Sequence, residues 1–357
     1  MRIGTFVLAG RYPGQSDAEA LHRAVAGAVA ADRAGLDAVW VAEHHFVPYG
    51  VCPSAATLAA HLLGRTRRIT VGTAISVLTS AHPVALGEQA AMLHLLSGGR
   101  FALGVGRGGP WVDLEVFGGG AEALEHGFPE SLDLLLRWLR QDAVRAEGER
   151  YRFREVPVVP RGADGPPVLV ACTSPASVRL AARRGLPMLL GMHVGDEEKA
   201  EMVGLWRTAA REAGRPEEAD HVSVGVVQVA DSRAEAARVL RRSLPGWLRQ
   251  GLAAHQTLDG RPRSMRDPVA YTELLCDLHP VGDPGLCADR LAATAERTGI
   301  TRFALLAEGT GDAAATELNI RRLAREVLPL LPWEARTPEA AAPGVGPVSS
   351  PAAPATG

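Results

Sequence analysis

Eight short apolar runs, each followed by a stretch of helical period, restrict most severely what this chain of 357 residues can become. The runs are IGTFVLA (Ile3 to Ala9), AVWVA, ITVGTAISVL, RFALGVG, PVLVAC, PMLLGM, VSVGVVQVA and RFALLAEG. The segments between them carry ordinary helix start and stop signals. DAEALHRAVAGAVAADRAG has Asp17 as its expected N-cap and Gly35 as its stop. PVALGEQAAMLHLLSGG holds Pro83 in its first turn and Gly98 at its end, and SPASVRLAARRG starts on Ser174 with Pro175 just inside. RAEAARVLRRSLPGWLRQG is expected to be interrupted at Pro245, which lacks a backbone donor. A long loop is expected between RFALGVG and the helix PESLDLLLRWLRQ. A strand–helix alternation of this kind is solved most economically by an α/β fold, the (β/α)8 TIM barrel, whose active site lies at the C-terminal ends of the strands. The expectation is one barrel domain over residues 1–331. It has an insertion near the seventh unit, between Gly251 and Pro280, and a disordered tail rich in Pro, Ala and Gly at 332–357.

Several function classes are disfavoured. A net charge of -2 gives no electrostatic footprint for nucleic acid or an anionic membrane. No segment approaches the ~20 apolar residues of a membrane span. The apolar run in MRIGTFVLAGRYPG is too short for a signal peptide. Cys52, Cys172, Cys276 and Cys287 show no CxxC spacing, which argues against a disulfide framework or a structural zinc site and suits a reducing cytoplasm.

Three stretches at the expected catalytic rim carry chemistry. In VWVAEHHFVPYG an acid and two imidazoles, Glu43, His44 and His45, end the second strand. Neighbouring strand residues point to opposite faces, so the two histidines would not converge on one ion, and no metal is expected. Proton transfer by one of them fits better, against the plainer reading that both satisfy buried carbonyls. GVGRGG, Gly104 to Gly109, matches a dinucleotide fingerprint literally, but Pro110 and more loop follow where a helix would have to begin. Its glycines instead let a flat ligand approach the backbone, and Arg107 offers a fork to a phosphate. CTSPAS places Thr173, Ser174 and Ser177 at a helix N-terminus, an anion site or an ordinary cap.

Taken together, AEHHFVPYG, AAHLLGRTRRITVGTAISVLTSAHPV, LSGGRFALGVGRG, RRGLPMLL and HPVGDPGLCADRLAATAERTGITRF closely resemble the luciferase-like flavin-dependent monooxygenases, with the nearest likeness in the alpha subunit of bacterial luciferase. Order and spacing agree over most of the chain. The resemblance implies a TIM barrel, reduced FMN as co-substrate, O2 as oxidant and a flavin C4a-hydroperoxide that oxygenates a small organic molecule. A separate reductase would supply the FMNH2. By position, His44 matches the catalytic histidine, with Glu43 and His45 as its neighbours in the motif. Arg107, Ser174 and Ser177, with Thr173 beside them, match the phosphate site. Ala74 and Ile75 match a non-proline cis peptide under the flavin ring, and Phe6 an aromatic residue on the pocket floor.

The resemblance thins at three places. Gly106 stands where luciferase has a reactive cysteine, Met192 where it has a tryptophan, and the segment from Gly251 to Pro280 is shorter than its lid. These positions touch the ring and the substrate cover, so flavin binding carries over further than light emission or aldehyde specificity. Trp111 and Met192 are the candidate substrate contacts. Two alternatives stay open: hydride transfer with deazaflavin F420, and a non-catalytic flavin-binding protein. The helices PSAATLAAHLLG and PVALGEQAAMLHLL are small or apolar on the outside, and the resemblance implies a homodimer through them. The insertion, with Arg261, Arg263, Arg266, Met265, Tyr271 and Leu274, is expected to act as a lid.

Overall fold

The computed structural model describes residues 1–261 and 266–332. Eight parallel strands close a barrel: β1 (Arg2–Val7), β2 (Ala38–Val41), β3 (Thr70–Thr73), β4 (Phe101–Gly106), β5 (Val168–Cys172), β6 (Met188–Leu190), β7 (Val222–Val226) and β8 (Arg302–Leu306). Their spatial order is β3-β2-β1-β8-β7-β6-β5-β4, and β3 pairs β4 through Val71↔Phe101 to complete the ring. The strands read as nearly unbroken apolar runs because both faces are buried, one inside the barrel and one beneath helices. Phe6, Trp40, Leu189, Val224 and Leu306 fill the interior, while Ile3, Val39, Val71, Leu103 and Val170 meet the helical layer. Trp40 is 1% exposed and lies against Gly72, where a Cβ would come within 2.5 Å of its ring. Truncating Trp40 to Ala would cost roughly 3–5 kcal/mol in lost burial and cavity.

The helices are α1 (Asp17–Ala34), α2 (Ala55–Arg65), α3 (Pro83–Leu96), α4 (Phe128–Arg140), α5 (Pro175–Arg183), α6 (Asp196–Glu212), α7 (Arg233–Ala253), α8 (Pro268–Leu278), α9 (Pro284–Thr298) and α10 (Ala313–Arg322). Four expectations need correction. The cap of α1 is Ser16, not Asp17: Ser16 and Glu19 form a reciprocal capping box, which satisfies one more backbone donor than a lone Asp cap. Pro245 does not interrupt α7. An interior proline costs about 3 kcal/mol. The burial of Leu240, Leu244, Trp247 and Leu248, at roughly 1.5–3 kcal/mol each, outweighs that. The loop after β4 is partly helical, with turns at Asp113–Val116 and Gly120–Glu122 and a π-helical turn at Ala123–Gly127 leading into α4. An antiparallel hairpin, Ala143–Glu147 with Arg152–Pro157, then covers α4 where no element was expected.

The insertion after α7 holds α8, which packs back on α7. Arg263, Met265 and the tail from residue 333 lie outside the described residues. All four cysteines are buried and free. Among the described residues no helix is long and apolar enough to cross a membrane, and no group of His, Cys, Asp or Glu is gathered as a metal site.

Candidate active site

Glu43, just past β2, is used as a brace. Its Oε2 accepts from the Ala55 N–H at the start of α2, and Oε1 accepts from the Val77 N–H, both at 2.9 Å. A carboxylate at a helix N-terminus is favourably placed for the dipole. Here it also ties β2 to the short strand Ser76–Val77, which follows a cis peptide between Ala74 and Ile75. The two histidines diverge. His44 donates its backbone N–H to Cys52 O and lays its ring against Gly50 and the edge of Tyr49. His45 turns the other way, its Nε2 3.6 Å from Glu43 Oε1 and its ring edge on Phe117. Alternation along an extended chain separates them, so one ion cannot take both.

The chemistry of His44 follows from its surroundings. The residue is half-buried, but its Nδ1 is shielded from solvent and has no hydrogen-bond partner. Burial pushes its pKa down to about 3, with His255 and His45 acting in the same direction. At neutral pH the ring is therefore an uncharged imidazole whose Nδ1 faces Gly50 without a hydrogen-bond partner.

Beside it the strand ends carry only short side chains. Ala42 follows β2, Ala74 follows β3, Gly106 ends β4 and Ala171 lies near the end of β5. At Gly106 a Cβ would lie 2.3 Å from Ile75 Cδ1 and 3.2 Å from Ala171 Cβ, so Ile75 occupies the space a side chain there would need. The result is a shelf above Phe6 and Met192, both of which belong to the apolar cluster inside the barrel. Such a surface suits a flat ring.

At the far edge of the shelf β4 and β5 run side by side, with Val105 opposite Val170. Arg107 emerges from the first and Thr173 from the second, both exposed. The Arg107 guanidinium has no hydrogen bond or ion pair among the described residues, while its carbonyl accepts from Thr79 Oγ1. Ser174 caps α5, and Ser177 Oγ accepts from the Thr173 and Ser174 N–H groups. The capping reading of CTSPAS is observed, and Arg107 follows the neighbouring strand end.

Several residues at this rim carried no signal that sequence reasoning used. Tyr12, Trp247 and Tyr49 stack in series at centroid distances of 5.5 and 4.7 Å, and Tyr49 ends the row against His44. His255, likewise unforeseen, meets Trp111, a candidate substrate contact from the sequence, at 4.6 Å. Residues 110–112 and 256–258 form a short antiparallel strap: Val112 N–H donates to Gln256 O, and Leu258 N–H to Pro110 O. Glu308, buried after β8, accepts from Leu8 N–H, Ala9 N–H and Arg23. Burial raises its pKa, with Arg23 opposing. One signal was available: β2 and β8 both run into Ala-Glu, at Ala42-Glu43 and Ala307-Glu308, and both glutamates brace a neighbouring loop.

Comparison with known proteins agrees with this geometry. The sequence model of the luciferase-like monooxygenases matches residues 1–302. The alkanal monooxygenase alpha chain of the Kryptophanaron alfredi symbiont is 28% identical over 351 residues, covering 93% of this chain and 98% of that one. Among solved structures, the monooxygenase RslO1 from Streptomyces bottropensis superposes with a TM-score of 0.81 at 24% identity, over 92% of this chain and 99% of the other. The oxygenating constituent of 3,6-diketocamphane monooxygenase from Pseudomonas putida, in complex with FMN, gives 0.76 at 23% identity, over 93% and 98%. An F420-dependent secondary alcohol dehydrogenase in complex with an F420-acetone adduct gives 0.73 at 18% identity, over 92% and 98%.

Proposed function

The chain belongs to the luciferase-like monooxygenase family, and from that premise we propose that it uses reduced FMN, delivered by a separate reductase, to insert one atom of dioxygen into a small organic substrate. The observation that carries this reading is the pairing of an uncharged, unpartnered His44 with the unpartnered Arg107 across a shelf of short side chains. The residues fit a flavin mononucleotide. A flat ring needs the shelf made by Ala42, Ala74, Gly106 and Ala171. A phosphate needs a free cation beside a helix N-terminus, which Arg107 and α5 offer together. FMN over F420 rests on the likeness of this corner to luciferase, and FMN is also the ligand named for the diketocamphane enzyme.

Bound there in reduced form, FMN supplies the two electrons with which dioxygen is split between product and water. The chain does the rest. Arg107, Thr173, Ser174 and Ser177 hold the phosphate. Phe6, Ala74, Ile75 and Gly106 set the ring plane. His44 holds or releases a proton on its imidazole ring, a step such groups accelerate by about 10²–10⁴-fold. Glu43 acts through position, fixing β2 against α2, and His45 packs behind it. Trp111, in the strap, and Met192 face the substrate, and the strap limits the entry of water.

Two copies pack through α2 and α3 in this reading. Met92, Leu95 and Leu96 are 47%, 45% and 79% exposed on α3, an apolar surface that the barrel does not cover. Sedimentation as a monomer at micromolar concentration would remove that part.

The deciding experiment is anaerobic titration with FMNH2 and with reduced F420, followed by admission of labelled dioxygen. Tight binding of FMNH2 and label in the product support the reading. Preferential binding of reduced F420, with substrate turnover that needs no oxygen, replaces it with hydride transfer. Flavin binding with no turnover of any substrate reduces the protein to a flavin carrier.

A further inference from the structure

A second recess lies outside the barrel, away from the rim. It is a groove of about 780 Å³ between α1, α2, α10 and the turn that follows α10. Val25, Ala26, Val29, Ala30 and Ala34 of α1 make an apolar floor. From His22 to Ala34 that floor spans three turns, about 18 Å at 1.5 Å per residue. Each of these helices follows a barrel strand and runs back toward the N-terminal face, so their last turns gather at one end of the groove. Arg33, Arg65, Arg321 and Arg325 stand there. None of the four forms a hydrogen bond or ion pair among the described residues. Glu317, the one acid in the lining, lies toward the opposite end, one turn above Arg321.

The helix dipole explains why each arginine sits in a last turn. It does not explain why four converge on one recess in a chain whose formal net charge is -2. Nor does it explain why no carboxylate answers them, although exposed arginines elsewhere pair readily, as Arg211 does with Glu217 and Arg241 with Glu273. An apolar trough with cations at one end matches a ligand that is itself polar at one end. Guanidinium forks bind carboxylate and phosphate with two parallel bonds, and the trough is the size of a medium acyl chain.

We propose that this groove binds an amphiphilic anion, its apolar chain along α1 and its carboxylate or phosphate head among Arg33, Arg65, Arg321 and Arg325. The head belongs to a free amphiphile, because a formal net charge of -2 gives no footprint for an anionic bilayer. The site is independent of the flavin corner and of the activity assigned to it.

Calorimetric titration of the full chain with sodium dodecanoate and with dodecan-1-ol tests this. The expected result is saturable binding of dodecanoate at one site, at least tenfold tighter than the alcohol. An Arg321→Ala/Arg325→Ala double variant should weaken it at least tenfold, and Ala30→Trp, which fills the trough, should abolish it. FMN titration should be unchanged in both variants. Equal affinity for acid and alcohol, or dodecanoate affinity untouched by either variant, overturns the site. Displacement of dodecanoate by FMN does the same, by placing the ligand at the barrel mouth. Cosedimentation with phosphatidylglycerol vesicles that Ala30→Trp abolishes assigns the groove to a bilayer lipid and overturns the free amphiphile. Cosedimentation that needs the arginines but survives Ala30→Trp makes them a flat membrane contact and overturns the groove.

Discussion

His44 and His279 are held at the same low pKa and differ in their hydrogen bonds. Burial pushes both down to about 3. His279 donates from Nε2 to Met192 O at 2.6 Å and packs its other nitrogen against Gly225. His44 leaves Nδ1 with no partner. The contrast extends to the two halves of the barrel. In the first half, Thr5 Oγ1, His44 Nδ1, His45 Nε2, Ser76 Oγ and Asp113 Oδ1, with Trp138 Nε1 and Arg150 Nε in α4 and at the hairpin, are buried without a hydrogen bond. In the second, Lys199 donates to Ser223, His221 accepts from Met188 N–H, and Asn319 bonds Val227 and Ala307. Gln228 Oε1 is the exception there among the described residues. Buried polar groups are normally paired, and each one left open calls for a reason, of which completion by a ligand is one. Burial sets the charge of a histidine; its hydrogen bonds decide whether it is scaffold or reagent.

Exchanging the fates of the two histidines is the strongest test. His44→Ala should bind FMNH2 nearly normally and lose product formation by about 100-fold or more. His279→Gln should lose stability while turnover per folded molecule stays within about threefold. Stopped-flow binding with product analysis, beside urea unfolding, separates the outcomes. Normal turnover in His44→Ala would make both residues scaffold and end the comparison. A smaller effect is expected at the phosphate corner. Arg107→Ala should weaken FMN by roughly 10- to 100-fold, the worth of a charge-assisted bond, and riboflavin hardly at all. Equal losses for the two ligands would mean that Arg107 supports the ring or the fold.

The shared property of the pair predicts a pH effect with a definite sign. The folded pKa of about 3 lies below the unfolded value of about 6.5. As pH falls, the unfolded chain takes the proton first, so the stabilisation is complete above about pH 6.5 and is lost as pH falls toward 3. For buried His279 the loss between pH 7.5 and 5.5 is about 1.4 kcal/mol, close to tenfold in the folding equilibrium. Urea midpoints at those two pH values should converge in His279→Gln relative to the parent chain. An undiminished acid limb would show that His279 is not held neutral in the folded state.

What the sequence disclosed and what it hid divide along the same physical line. The eight strands were legible because a strand buried on both faces has to be apolar throughout. The divergence of His44 and His45 was legible because it depends only on alternation, and Ser174-Pro175 because a cap is a local device. Ser16 was missed for Asp17 although both can cap; the choice depended on Glu19 reaching back. Pro245 broke a local rule that packing of Trp247 and Leu248 overrode. The row Tyr12–Trp247–Tyr49–His44 joins residues from distant parts of the chain, and no periodicity announces it. The same holds for the strap and for Glu308, whose partners at Leu8 and Ala9 lie 300 and 299 residues away. The candidate site residues were visible by type; the contacts around them were set by the closed fold.

The smallest expected effect concerns that cover, where the two halves of the barrel meet. The strap joins the loop after β4 to the chain beyond α7 through two backbone hydrogen bonds, which make the Trp111↔Thr257 bridge. Its one side belongs to the reactive half and its other to the scaffold half. Leu258→Pro removes one of the two donors without touching the flavin shelf or Arg107. FMNH2 affinity should stay within about twofold, because no phosphate or ring contact changes. Loss of one exposed backbone bond, worth about 0.5–1.5 kcal/mol, should open the strap more often. Water then reaches the oxygenating site more often, and hydrogen peroxide released per product should rise about threefold. Trp111→Ala separates cover from contact: a cover alone would shift the peroxide ratio, whereas a substrate contact would also raise KM. If Leu258→Pro leaves the coupling of oxygen to product unchanged, the strap is scaffold like the half it comes from, and water is excluded by the aromatic row instead.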